Sequence, residues 1–95
     1  MRTLKEVQSE MMKDEEFRKE YETAKTEFDV IRALLEARQS VNMTQKELAH
    51  RTGINQADIS KLENGTRNPT ISLLKRLADG MGMDLKIHFV PNQNT

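Results

Sequence analysis

The chain has 95 residues, as many basic as acidic side chains, a net charge of zero and no cysteine. A chain this short forms one small domain with an appendage and buries only about two-thirds of its surface, so burial against a partner or a second copy is expected. The cysteine count excludes a disulfide framework and thiolate metal sites. The opening MRTLKEVQSEMMKDEEF is too polar to be expected to act as a signal peptide, and no apolar run is long enough to span a membrane. Charge is unevenly spread: residues 1–40 carry 8 − 10 = −2 and residues 41–95 carry 7 − 5 = +2. The two parts are therefore expected to present different surfaces.

Glycine and proline are absent before Gly53, so the first half is free to be helical. Thr3 and Glu6 have capping-box spacing, and Leu4, Val7 and Met11 share one helical face. Phe17, Tyr21, Ala24, Phe28, Ile31 and Leu35 then recur at alternating steps of four and three, a single apolar stripe on one long helix or on two in line. Thr26 and Asp29 are spaced to cap a new start, which places a break near Thr23–Thr26. The stripe serves either the core or a partner protein. Thr44 and Glu47 form a second capping pair, Leu48 and Ala49 begin a buried face, and Gly53 stops that helix with a positive φ. Asn55 caps the next helix, which Gly65 ends. Asn68 and Pro69 are read as cap and first turn of another, with Ile71, Leu73, Leu74, Leu77 and Ala78 on its apolar side and Gly80 and Gly82 closing it. Residues 84–90 alternate Leu85, Ile87 and Phe89 with Lys86 and His88, a strand pattern ended by Pro91. The remainder of the chain has no second strand candidate, so antiparallel pairing with the same segment of a second copy is expected.

Residues 45–64 have the internal logic of two short helices crossing closely. A small residue inside the first, Ala49, permits the approach. Gly53 makes the turn, and Ile54, Ile59 and Leu62 face back to the domain. Truncating Leu62 to Ala is expected to cost about 2–5 kcal/mol. The stretch TQKELAHRTGINQADISKLENGTRNPTISLLKRLADGMG resembles the helix-turn-helix of the Cro/C1-type (Xre) repressors. The likeness rests on Thr44-Gln45, Leu48-Ala49, Gly53-Ile54, Ile59-Ser60, Leu62-Glu63-Asn64-Gly65, Pro69 and Leu73, and it covers residues 28–82. It implies an all-α, lambda-repressor-like bundle with an N-terminal helical extension and one C-terminal strand. The expected divisions are an arm over 1–25, a DNA-binding domain over 26–82, and a dimerising strand and tail over 83–95.

With Ile59 and Leu62 inward, Gln56, Ala57, Ser60 and Lys61 point outward. Gln56 matches adenine N6/N7, Lys61 matches guanine O6/N7, and Ala57 suits a thymine methyl. Asn55 and Ser60 are further candidates for bases or phosphates. By resemblance, Thr44 and Gln45 meet a phosphate at the start of the first helix, and Asn64, Thr66 and Arg67 grip the backbone. Asp58 is expected to lie away from phosphate or to shape specificity by repulsion. A two-fold dimer, set by Leu85, Ile87 and Phe89, presents two reading helices about 34 Å apart on a palindromic operator.

An inducer-binding or protease domain is not expected. The acidic arm SEMMKDEEFRKEYETAKTEF, followed by IRALLEAR and the motif, is similar to HigA-type antitoxins of type II toxin–antitoxin pairs. This resemblance implies neutralisation of a basic, RelE-like mRNA-cleaving toxin and repression of the shared operon in a bacterial cytoplasm, on the nucleoid. Met11, Met12, Asp14, Glu15, Glu16, Phe17, Glu20 and Tyr21 are the expected toxin contacts, with Glu10 and Glu22 adding charge. A stand-alone or phage-type repressor and a helical coactivator-like adaptor are the other readings. His50 and His88 have no ligand or catalytic partner at suitable spacing, so neither an enzyme nor a cofactor is expected.

Overall fold

The structure, a computed structural model, describes residues 3–11 and 13–92. Among the described residues five helices follow in order: α1 Leu4–Met11, α2 Glu15–Ser40, α3 Gln45–Thr52, α4 Gln56–Glu63 and α5 Ile71–Gly80. The expected all-helical bundle is present, with α3 packed on both α4 and α5, and α2 on α4. No helix among the described residues is long and apolar enough to cross a membrane.

Local chemistry fixes the helix ends. In α1 the box is reciprocal: Glu6 N–H donates to Thr3 Oγ1 at 3.1 Å and Thr3 N–H to Glu6 Oε2 at 3.3 Å. Asp14 caps α2, its Oδ1 accepting from the amides of Glu16 and Phe17 at 2.9 and 3.2 Å. The break expected near Thr23–Thr26 does not occur, and α2 runs unbroken through the boundary drawn at 25/26. The Thr23 and Thr26 hydroxyls donate back to the carbonyls of Lys19 and Glu22, at 2.9 and 3.0 Å. A threonine bonded into its own helix in this way does not cap a new one.

Leu48, Ile59, Leu62 and Leu77 are fully enclosed, and Leu34, Met43, Ile54, Leu73, Ala78 and Met81 complete the core. From α2 only Leu34 is buried. The stripe over 17–35 therefore does not serve mainly as core: Phe28 is 54% exposed and Tyr21 and Ala24 are exposed, while Ile31 and Leu35 are half-buried. At 100° per residue the stripe lies about a quarter-turn away from Leu34, so the same helix offers one face to the domain and another to the outside.

Two further expectations are corrected. Helix α5 does not begin at Asn68–Pro69; Thr70 is its cap, with Oγ1 accepting from Leu73 N–H at 3.1 Å. That start turns Leu73, Leu77 and Ala78 inward and leaves Ile71 66% exposed rather than on the buried side. The strand expected over 84–90 is also absent: the described residues beyond Met81 form neither helix nor strand. A strand exists by its hydrogen bonds to a neighbour, and the described chain supplies no neighbour.

Close approach of α3 and α5 depends on Gly80, where a Cβ would collide with the Thr52 methyl and meet Leu48 Cδ1 at 3.4 Å. An ion-pair cluster ties α2, α3 and α4 together. Arg38 donates from Nε and Nη2 to the two carboxylate oxygens of Glu63, at 2.6 and 3.2 Å, and from Nη1 to the Met43 carbonyl at 2.9 Å. The Gln45 amide donates to the same carboxylate.

Candidate nucleic-acid interface

Thr44 and Asn55 start the two helices of the motif. Thr44 Oγ1 accepts from Glu47 N–H at 3.0 Å, and Asn55 Oδ1 accepts from Ala57 N–H at 2.9 Å. Between them lies a three-residue turn, residues 53–55, in which Gly53 has φ +74° as expected. Such a φ is costly for any residue carrying a Cβ. The turn is braced from two sides. Thr52 Oγ1 donates to Leu48 O at 2.8 Å and accepts from Ile54 N–H at 3.2 Å. Arg76, from α5, donates to Thr52 O at 2.9 Å.

This bracing presents one face of α4. Ile59 and Leu62 are buried, and Gln56, Ala57 and Lys61 are exposed on the other side, with Ser60 half-buried at the edge. Among the described residues no hydrogen bond or ion pair engages the Gln56 amide or the Lys61 ammonium. Both remain available as donors, and the Gln56 amide also as an acceptor, which is what reading a base edge needs.

The residues expected at the sugar–phosphate backbone divide differently. Thr44 is exposed at the α3 start, but the Gln45 amide is turned inward onto Glu63. Gln45 is therefore built into the scaffold; the Thr44 hydroxyl donates to Glu47 Oε1 at 3.2 Å, so the donors remaining at that end are the backbone amides of the first turn. Asn64 and Thr66 fold the following loop upon itself: Asn64 Oδ1 accepts from Thr66 Oγ1 at 2.7 Å and from Thr66 N–H at 3.1 Å. Arg67 is paired with Asp58, Nη1 to Oδ1 at 3.2 Å. Asp58 thus carries a counter-charge across the loop, and its side chain sets where Arg67 stands. The sequence pattern contained no sign of this pair, nor of Arg38, Glu63, Thr52 and Arg76, because each partner sits far along the chain.

On the arm, Phe17 and Tyr21 stack with ring centroids 6.4 Å apart. Arg32 lies 5.1 Å over the Phe28 ring. Met11, Asp14, Glu15, Glu16 and Glu20 are exposed, Asp14 being committed to the α2 cap; Met12 lies outside the described residues. Leu85 is half-buried, and Ile87 and Phe89 are exposed. His50 and His88 are exposed on α3 and the C-terminal segment.

The description "helix-turn-helix" belongs to the family that matches residues 34–87. A relative from Sinorhizobium fredii, named as an uncharacterized HTH-type transcriptional regulator, is 41% identical over 46 residues, 48% of this chain and 60% of its own length. One from Haemophilus influenzae, with the same kind of name, is 33% identical over 58 residues, 61% of this chain and 59% of its own length. The chain thus spans about three-fifths of the length of these curated relatives. No solved structure matches it significantly. More than half of the chain lies inside the family match, and α3 and α4 with the tight turn between them are the arrangement its description names; the chain belongs to the helix-turn-helix family of Cro/C1 type.

Proposed function

We propose that this protein is a sequence-specific DNA-binding repressor that reads operator DNA with α4. The observation that carries the reading is the exposed Gln56–Ala57–Lys61 face on a helix held by the buried Ile59 and Leu62. Ser60 and Asn55 border that face. Thr44, Arg67 and the loop at Asn64–Thr66 contact the sugar–phosphate backbone. Selection from a random duplex library, then binding of the selected site across a salt series, tests this. Lys61→Ala should cost about 1–3 kcal/mol and relax one base position. A uniform loss on every sequence would recast Lys61 as a phosphate contact, and no selected consensus would remove sequence reading altogether. One motif reads one half-site, so the binding species is a two-fold dimer joined through the C-terminal segment, on a palindrome.

The finer reading is an antitoxin that binds a basic, RelE-like toxin with its arm and represses the shared operon. It is supported by the exposed apolar side chains Val7, Met11, Tyr21 and Phe28, which alternate with exposed acidic groups along α1 and α2. Apolar anchors ringed by negative charge suit a positively charged protein surface. Co-expression with the product of an adjacent gene, followed by pull-down, tests this. Tyr21→Glu should abolish capture and leave operator binding intact. Absence of any adjacent partner would make the chain a stand-alone or phage-type repressor.

A further inference from the structure

An apolar groove of about 680 Å³ runs between α2, α5 and the C-terminal segment, with Ala33, Leu74, Met83, Leu85 and Ile87 in its walls. The segment that forms one wall leaves the body gradually. Met83 and Leu85 are half-buried, Ile87 is 57% exposed and Phe89 is 100% exposed. These four residues share a period of two, so one continuous apolar edge enters the groove at Met83 and leaves it bare at Phe89. A fully exposed phenylalanine just beyond the lip of an apolar groove, on the same edge as the residues that line it, is the observation to be explained.

We infer that the groove is occupied by Phe89 of the partner subunit in an antiparallel, two-fold self-pairing centred on Ile87; this rests on the dimer reading above. The register follows from the side chains. A two-fold axis normal to the ribbon sets one residue opposite its own copy. Centring on Lys86 would oppose two ammonium groups, and centring on His88 would set the partner's Phe89 opposite Ile87, where the groove is already opening to solvent. Centring on Leu85 would extend the ladder to Gly82 and Met83, whose amides already donate to Asp79 and Ala78 carbonyls at 3.1 and 2.8 Å. Centring on Ile87 puts Leu85 opposite the partner's Phe89, and Leu85 lines the groove. Each copy fills the other's groove.

The area suffices. An aromatic side chain buries about 150–250 Å², so the two copies of Phe89 together supply about a third of the roughly 1,200 Å² at which stable interfaces begin. Ile71 and Ile87, exposed by 66% and 57%, add to this on both sides.

The chain contains no cysteine, so the register can be read by cross-linking in the full-length protein. Residues directly opposed in an antiparallel pair have Cα atoms about 4.5–5.5 Å apart, within disulfide reach. Ile87→Cys should therefore form a disulfide-linked dimer under mild oxidation. Phe89→Cys should not, because its copies stand about 14 Å apart along the ribbon. Phe89→Asp should weaken self-association by about a hundredfold or more in sedimentation equilibrium, with helix content unchanged by circular dichroism. A monomeric wild-type chain would overturn both the dimer and this inference. A wild-type dimer in which Phe89→Cys cross-links as readily as Ile87→Cys, or which Phe89→Asp leaves intact, would overturn the groove occupancy and leave the dimer standing.

Discussion

Arg38→Met removes the guanidinium that joins α2 to the motif. The side chains of Arg38 and Glu63 are only 15% and 5% exposed, so the variant leaves a carboxylate in the interior with the Gln45 amide as its remaining side-chain partner. It also strips the Met43 carbonyl of its donor. Breaking one side of a buried, hydrogen-bonded pair costs about 3–5 kcal/mol, mostly because the abandoned charge has lost its compensation. An unsatisfied carbonyl adds about 1–3 kcal/mol where water does not reach it. Against a total stability of about 5–15 kcal/mol for a natural domain, this takes the protein close to its unfolding midpoint at room temperature. Urea unfolding followed by circular dichroism, at one fixed protein concentration, measures it. The double variant Arg38→Met/Glu63→Leu removes both charges and should recover most of the loss, giving a coupling energy of several kcal/mol in the cycle. A cost below about 1 kcal/mol for Arg38→Met would place the pair among ordinary surface bridges and refute the argument from burial.

Gly80→Ala would normally stabilise a helix by about 1 kcal/mol; here it should lower the melting temperature, because the new methyl meets Thr52 and the Thr52 hydroxyl is held by Leu48 O and Ile54 N–H. Thr52→Ser in that background keeps the hydroxyl, deletes the colliding methyl and should restore the loss; a Gly80→Ala variant as stable as wild type would show that α3 and α5 separate easily. Gly53→Ala should destabilise by about 1 kcal/mol or more, since its φ of +74° is strained for alanine, and thermal melts will show it. Asp58→Asn releases Arg67 from its partner and should raise affinity for non-operator DNA more than for operator, read as a smaller specificity ratio at fixed salt; an unchanged ratio would mean that Arg67 is not set by Asp58.

Capped boundaries were legible in the sequence because the signal is local. Thr44, Asn55 and Gly53 act on amides within a few residues, and each stands where its chemistry requires. The apolar face of α4 was legible for the same reason. Thr26 shows the limit: its hydroxyl satisfies either a cap or a carbonyl one turn back, and only the surrounding helix decides. Gln45 shows another. Its role depends on Glu63, which lies eighteen positions away and reaches it only through the fold. The apolar stripe of α2 was visible as a period, but a period does not state which face finds a partner within the same chain. The C-terminal alternation has the same character: the pattern is plain, and no segment among the described residues pairs with it.

The continuity of α2 has a mechanical consequence. A helix of 26 residues is about 39 Å long, yet its buried anchor, Leu34, lies in its last third. Helix formation is expensive to nucleate and cheap to extend. The anchored end supplies the nucleus, and the turns toward Asp14 are propagated from it, outside the core. One element should therefore carry a gradient of protection in hydrogen exchange, with amides near Leu34 expected to exchange only when the domain opens and those near Phe17 by fraying. A surface that grips the outer turns would tighten them without building them, and the added protection would travel down a single hydrogen-bonded rod to Arg38 and the end of α4 that Glu63 closes.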